Sequence, residues 1–132
     1  KMIHNGIEYG IMQSLGEGFD VLTNAPYRFD LLNIARLWQK GTLISGFMLD
    51  RTLDVLSQPS ILSSIEGKIG ATGEAEWMVK QAKEEGVDVE IIERSLEYRK
   101  RSQTDQKIQK SFTGRLIAAL RQAFGGHEVR RK

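Results

Sequence analysis

Apolar residues recur every three or four positions along most of this chain, and each such run stops at glycine, proline or a short polar turn. That spacing places the apolar side chains on one face of a helix. It predicts helices over residues 1–16, 27–40, 42–57, 74–85, 88–102 and 105–124, with a short helix between loops in 58–73. Gly16 and Gly18 would end the first helix. We expect an all-α domain of six or seven helices joined by short loops.

Composition narrows the class of protein without identifying it. The 132 residues suffice for one domain with a core, and 40% hydrophobic and 27% charged residues are ordinary globular proportions. A net charge of +2 is too small to indicate a nucleic-acid partner. Since the chain has no cysteine, it contains no disulfide, thiolate metal ligand or cysteine nucleophile.

Neither a membrane span nor a secretory signal is visible in the sequence. No apolar stretch approaches the roughly 20 residues that a span needs, and no signal-peptide pattern is present. We therefore expect a cytoplasmic protein without membrane partners. The chain begins with Lys1 and not with methionine, so we also expect a fragment or a processed domain.

The first predicted helix carries five polar side chains on one face, whereas Ile3, Ile7 and Gly10 fall on the opposite face. The polar set comprises Lys1, His4, Asn5, Glu8 and Tyr9. An amine, an imidazole, an amide, a carboxyl and a phenol within about two turns can perform acid–base work and hydrogen-bond a polyhydroxylated substrate. A polar stripe is also the ordinary solvated face of an amphipathic helix.

Lys1 and Glu8 are a candidate base and acid. The positive end of the helix dipole disfavours the charged form of Lys1, and burial would act in the same direction. A neutral amine can accept a proton near physiological pH, and Glu8 could then serve as the matching acid. An acid–base pair is therefore one hypothesis for this stripe.

Other chemistry has weaker support. His4 and Glu8 have the spacing of two metal ligands but no third ligand nearby, so no metal site is predicted. The Gly-Glu-Gly-Phe segment at 16–19 lacks the strand and helix of a dinucleotide-binding loop. Near the C terminus, Arg121 and His127 could grip a carboxylate or a phosphate, or they could belong to a frayed terminus.

Four segments resemble one enzyme family in the same order. They are KMIHNGIEYGIMQSLGEGF at the start, WQKGTLISGFMLD, the helix pair around Trp77 and Tyr98-Arg99, and RQAFGGH near the end. All are similar to decarboxylating 6-phosphogluconate dehydrogenases, and the Gly-Gly tail resembles the shorter branch of that family. The resemblance implies that residues 1–132 are the all-helical C-terminal domain, with a nucleotide-binding Rossmann domain preceding it.

The resemblance also implies a reaction and a role for each site residue. The family oxidises and decarboxylates 6-phosphogluconate to ribulose 5-phosphate in the pentose phosphate pathway, reducing NAD or NADP. Lys1 matches the general base and Glu8 the acid, and Asn5 also lies near the nicotinamide. The substrate-binding positions match His4, Asn5, Tyr9, Arg99, Arg121 and His127. The family forms homodimers or homotetramers, and the tail, here residues 121–132, reaches the neighbouring subunit's site.

One segment departs from the family pattern. Where the family has Gly-(Lys or Arg)-Trp-Thr, this chain has Ala75-Glu76-Trp77-Met78. An anionic Glu76 would repel a phosphate, unless a base such as Lys80 or Lys68 replaced the missing contact. A related dehydrogenase acting on a different sugar acid therefore remains an alternative. A helical oligomerisation module without catalysis is a second one.

Overall fold

The computed structural model describes residues 1–131, so Lys132 of the expected tail lies outside the described residues. Within that range the chain forms eight helices and no strand. They are α1 (Met2–Thr23), α2 (Leu31–Trp38), α3 (Phe47–Leu56), α4 (Pro59–Ser64), α5 (Glu74–Glu85), α6 (Glu90–Ser102), α7 (Gln106–Lys110) and α8 (Phe112–Gly125). The predicted all-α class is confirmed, with one helix more than the largest number expected.

Helix α1 continues past the glycines that were predicted to end it. A side chain at Gly6 would lie 2.0 Å from the sulfur of Met78 in α5, and one at Gly16 would lie 3.1 Å from Thr113 in α8. Glycine in a helix interior costs about 1 kcal/mol relative to alanine. Packing of α5 and α8 against α1 offsets that cost, so these glycines mark close helix contacts and not a helix end.

The boundaries of α2 and α3 also differ from the prediction. Helix α2 starts after Asp30, whose carboxylate accepts a hydrogen bond from the backbone N–H of Asn33 at 3.0 Å. Helix α3 starts after Gly46, which has a φ of 146°. The Gln39 side chain bonds both backbone groups of Gly46. These caps shorten both helices and leave residues 41–46 as an exposed loop.

The predicted final helix is two helices. Ser111 has extended backbone angles, and its hydroxyl accepts a hydrogen bond from the N–H of Gly114 at 2.9 Å. This serine therefore caps α8 and separates it from α7. The apolar repeat of the sequence continues across the break, which is why periodicity alone did not reveal it. By contrast, the predicted helix over residues 74–85 is confirmed as α5 with the same bounds.

Helix α1 is the centre of the packing and positions the candidate site. Its C-terminal half packs on α8 around Met12 and Phe19, and the core continues into α3 and the 65–69 segment. Its N-terminal half packs on α5 and α6 through Tyr9, next to Val79 and Leu96. The site residues of α1 therefore lie where α5, α6 and the end of α8 converge.

The isoleucine face of α1 does not enter this core. Ile3, Ile7 and Ile11 are 57%, 52% and 46% exposed. Ile7 and Ile11, together with Phe47 and Ile91, line a groove of about 1140 Å³. The buried face of α1 instead carries Gly6, Gly10, Gly16 and Tyr9. Among the described residues, no helix has both the length and the apolar character needed to span a membrane.

Candidate active site

Two arginines and a tyrosine from three helices form the interior of the candidate site. Tyr9 of α1, Arg99 of α6 and Arg121 of α8 are 3%, 2% and 7% exposed. The guanidinium carbon of Arg99 lies 3.2 Å from the centre of the Tyr9 ring, in a cation–π arrangement. The Tyr9 hydroxyl accepts a hydrogen bond from the backbone N–H of Thr72 at 3.4 Å.

Arg121 lies on α8 and is the third member of this cluster. A Cβ at Gly70 would lie 2.9 Å from a guanidinium nitrogen of Arg121, so glycine at position 70 leaves room for that side chain. None of the ion pairs within residues 1–131 involves Arg99 or Arg121. The interior of the site thus holds two cations without a carboxylate partner.

Both guanidinium groups remain charged at neutral pH. Burial lowers the pKa of Arg99 to about 10, and the nearby Arg121 charge acts in the same direction, whereas Tyr9 and Glu8 oppose it. Burial also lowers the pKa of Arg121. Because both groups stay protonated and unpaired, they favour a bound anion, and the planar guanidinium matches a phosphate or carboxylate with two hydrogen bonds.

His127 follows α8 on the same side of the molecule. Its ring lies edge-on to Phe124, with 6.4 Å between ring centres. Burial and then the charge of Arg121 lower the pKa of His127, so its imidazole is neutral near pH 7. A neutral imidazole can donate one hydrogen bond and accept another, which suits a hydroxyl-rich ligand.

Lys1 lies at the other edge of the site and is paired. Its ammonium is 3.0 Å from a carboxylate oxygen of Glu74, the first residue of α5. Hydrogen bonds from Thr72 and Lys1 lower the pKa of Glu74 from 4.5 to about 2. The Lys1 side chain is 80% exposed, whereas that of Glu74 is mostly buried. Lys1 is therefore a tethered but accessible amine.

The remaining polar residues of α1 face the solvent side of the site. His4 and Asn5 contact each other, with 3.3 Å between the histidine Nδ1 and the amide oxygen. Glu8 is partly buried, and it lines one end of the apolar groove with His4. The eight residues predicted from the sequence thus lie on α1 or at its N-cap, near the end of α6, or on α8 and the segment after it.

The residues at positions 76 and 78, where the chain departs from the family pattern, make contacts within the chain. Glu76 is paired with Lys100, whereas Lys80 and Lys68 are paired with Glu84 and Glu66. Met78 packs its sulfur over Gly6 in the contact between α5 and α1. Glu76 is therefore neutralised at the surface, and Met78 belongs to helix packing.

Sequence reasoning missed three residues of this site. Glu74 holds Lys1, Gly70 makes room for Arg121, and Thr72 bonds Tyr9. All three precede or begin α5 in a glycine-rich loop, and this location is the one signal that could have drawn attention to them. Within the described range, no three His, Cys, Asp or Glu side chains lie together in a way that would hold a metal ion.

Comparisons with known proteins show the family of this chain. Residues 1–115 match the family described as "6-phosphogluconate dehydrogenase, C-terminal domain". The all-helical fold is consistent with this match, which covers most of the chain. This chain belongs to the 6-phosphogluconate dehydrogenase family and corresponds to its helical C-terminal domain.

Named relatives match all or most of the chain. A Bacillus subtilis protein, "Putative 6-phosphogluconate dehydrogenase YqeC", is 41% identical over all of this chain and 43% of its own length. The Haloferax volcanii "6-phosphogluconate dehydrogenase, NAD(+)-dependent, decarboxylating" is 36% identical over the same shares. A rice protein, "6-phosphogluconate dehydrogenase, decarboxylating 1", is 36% identical over 75% of this chain and 22% of its own length. The chain thus spans less than half of these relatives.

Proposed function

We propose that this chain is the substrate-binding and acid–base half of an NAD- or NADP-dependent enzyme that oxidises and decarboxylates 6-phosphogluconate to ribulose 5-phosphate. The observation that carries the proposal is the pair of buried, unpaired guanidinium groups of Arg99 and Arg121 beside Tyr9. Taking a cation out of water costs on the order of several kcal/mol unless an anion compensates. A dianionic phosphate would compensate both charges.

The proton transfers are assigned to α1. Lys1 accepts the proton of the substrate's 3-hydroxyl while C3 loses a hydride, and the resulting β-keto acid loses CO2. Glu8 then protonates the enediol at C1. Because a base must be unprotonated to act, the ion pair between Lys1 and Glu74 has to open or transfer its proton before this step.

The other polar residues bind and orient the substrate in this scheme. Tyr9, Arg99 and Arg121 hold the phosphate, His4 and Asn5 bond the hydroxyl-rich middle of the substrate, and His127 contacts it from the tail. The His4 side chain and the Lys1 amine are exposed, so a ligand that approaches from solvent can reach both. Such positioning of the substrate lowers the entropic cost of the reaction.

Few residues of this chain are candidates for binding the cofactor. A nicotinamide accepts the hydride when it is bound. Asn5 fits such a group because its amide can pair with a carboxamide. The described residues contain no glycine-rich loop between strand and helix, so we propose that the rest of the full-length protein holds most of the cofactor and selects NAD or NADP.

We also propose a homodimer or homotetramer in the cytoplasm. Large exposed apolar side chains, such as Ile7, Leu43 and Phe47, cluster around the groove beside α1, and burying them against a second copy of the chain would stabilise an oligomer. Light scattering of the full-length protein tests this state. A monomer at micromolar concentration would contradict it.

The reaction is tested by following cofactor absorbance in the full-length protein. We expect reduction of NAD or NADP with 6-phosphogluconate and release of CO2. Gluconate, which lacks the phosphate, should be a far poorer substrate. Comparable turnover of gluconate would favour the alternative, a related dehydrogenase of an unphosphorylated sugar acid, for which Glu76 and Met78 are the motivating residues.

A further inference from the structure

We infer that Glu74 is a positioning residue for the proposed base, because its carboxylate holds the Lys1 amine at the edge of the site. The inference deepens the proposed function and rests on it, since Lys1 acts as a base only in that reaction. Neither the helical spacing nor the family resemblance pointed to Glu74, which is distant from Lys1 in the sequence.

Glu74 is fixed by helix packing, whereas the Lys1 side chain is not. Glu74 is the first residue of α5, and the next residue, Ala75, is fully buried. Met78 packs against Gly6 and holds the start of α5 close to α1. The Lys1 side chain is 80% exposed, and its only ion pair within residues 1–131 is with Glu74. A lysine stem is flexible in water, so the carboxylate sets the position of the amine.

The Glu74 carboxylate is mostly buried but incompletely paired. Its side chain is 14% exposed, and one of its oxygens lies 3.0 Å from the Lys1 ammonium. The other oxygen, Oε2, is buried and has no hydrogen-bond partner within the described part of the chain. A buried polar atom without a partner lowers stability. A functional reason for a glutamate at this position is therefore favoured over a purely structural one.

The segment that leads into Glu74 also contacts the interior of the site. The backbone N–H of Thr72 donates to the Tyr9 hydroxyl at 3.4 Å. Two residues earlier, Gly70 leaves room for the guanidinium of Arg121. One short segment therefore connects the proposed phosphate-binding end of the site to the amine. We expect the distance between a bound phosphate and the amine to depend on this segment and on the ion pair at its end.

Glu74 holds the amine without taking its proton. Hydrogen bonds from Thr72 and Lys1 lower the pKa of Glu74 to about 2, so this carboxylate is far too weak a base to deprotonate an ammonium group. The proton of the Lys1 ammonium leaves instead to water on the exposed side of the side chain. The neutral amine then accepts the proton of the substrate's 3-hydroxyl, and Glu74 remains a carboxylate in both steps.

Glu74→Gln in the full-length protein tests the inference. We expect kcat with 6-phosphogluconate to fall about 10- to 100-fold and KM to change less than about threefold, because the base is misplaced while the phosphate contacts remain. The deuterium isotope effect with substrate labelled at C3 should rise, since the hydride step becomes slower. Inorganic phosphate should bind as in the wild type, which shows that the variant is folded. An unchanged kcat, or a rise in KM alone, would overturn the inference.

The matched control is Glu76→Gln, two positions along the same helix. Its carboxylate is paired with Lys100 at the surface, so its removal should leave kcat and the isotope effect unchanged. Equal losses of kcat in the two variants would indicate a general effect of negative charge near the site, and a positioning role for Glu74 would then be wrong.

Chemical labelling of the Lys1 amine gives a readout that does not depend on turnover. Reductive methylation, followed by mass spectrometry of the peptide that carries Lys1, should be about two- to fivefold faster in Glu74→Gln than in the wild type, because the ion pair is lost. An unchanged labelling rate would overturn the inference. If the wild-type protein does not turn over 6-phosphogluconate, the proposed reaction fails, and the labelling rate alone decides whether Glu74 holds the amine.

Discussion

Arg99 and Lys100 are neighbours in α6 with the same charge and opposite surroundings. Arg99 is 2% exposed, lies on the Tyr9 ring and has no carboxylate partner within the described part of the chain. Lys100 is on the surface and is paired with Glu76. The 100° turn between successive helical residues points one side chain into the site and the other into water.

The comparison shows that a surface ion pair differs from a candidate anion-binding site in whether the cation has a carboxylate partner. An exposed pair such as Lys100 and Glu76 contributes about 0–1 kcal/mol to stability. A buried cation without a partner lowers stability by on the order of several kcal/mol. Burial of Arg99 and Arg121 is therefore unfavourable for stability, and it fits the anionic ligand that we propose.

Replacement of Arg99 by methionine should have the largest effect. Arg99→Met keeps most of the side-chain volume but removes the charge, so we expect kcat/KM for 6-phosphogluconate to fall by about 100-fold or more. The free energy of unfolding should stay unchanged or rise by up to about 4 kcal/mol, since a buried unpaired charge is lost. Steady-state kinetics and denaturant unfolding measure the two effects.

Lys100→Met is the matched control one position along the helix. We expect less than a twofold change in kcat/KM and a stability change within about 1 kcal/mol. Equal losses of activity in both variants would indicate a general electrostatic effect. A large loss of stability in Arg99→Met would indicate that Arg99 is structural.

Arg121→Lys should have an intermediate effect on the binding of 6-phosphogluconate. Lysine keeps the positive charge but loses the planar fork that bonds two oxygens at once. We expect about a tenfold rise in KM for 6-phosphogluconate, and a smaller loss of affinity for ligands without a phosphate. Kinetics with 6-phosphogluconate and gluconate provide the measurement. Equal effects on the two substrates would place Arg121 away from the phosphate.

Replacement of Glu74 should change how the free energy of unfolding depends on pH in the acid range. Its pKa is about 2 in the folded protein against an ordinary value of 4.5. The unfolded chain therefore binds more protons between these values, so Glu74 stabilises the fold above pH 4.5 and this contribution is lost as pH falls toward 2. In Glu74→Gln the free energy of unfolding should depend less on pH in this range. Denaturant unfolding at several pH values measures it, with Glu76→Gln as the reference for an exposed carboxylate.

Glu76→Gln should have the smallest effect on catalysis. Since Lys100 already neutralises Glu76 at the surface, removing the carboxylate should change KM for 6-phosphogluconate less than about twofold. A marked fall in KM would mean that Glu76 repels the phosphate. That result would support a different sugar acid as the natural substrate.

The helical pattern predicted more of the fold than of the site. Helix α5 has the predicted bounds because strong helix formers fill it and Gly86 ends it with a positive φ. The end of α1 and the break at Ser111 were missed, since both depend on contacts with other helices or on a single cap. The eight candidate site residues were predicted from helical spacing and from the resemblance, whereas Glu74 and Gly70 emerged only from the structure.

The sequence by itself determined the all-helical class, because apolar spacing is a local property of each segment, and it determined the set of polar groups on the first helix. Only the tertiary structure decided which charges are paired. Arg99 and Lys100 are adjacent in sequence, yet packing against Tyr9 buries one and leaves the other beside Glu76. The convergence of Arg99 and Arg121 likewise arises from helix packing, since contacts between distant segments depend on the whole fold and not on local spacing.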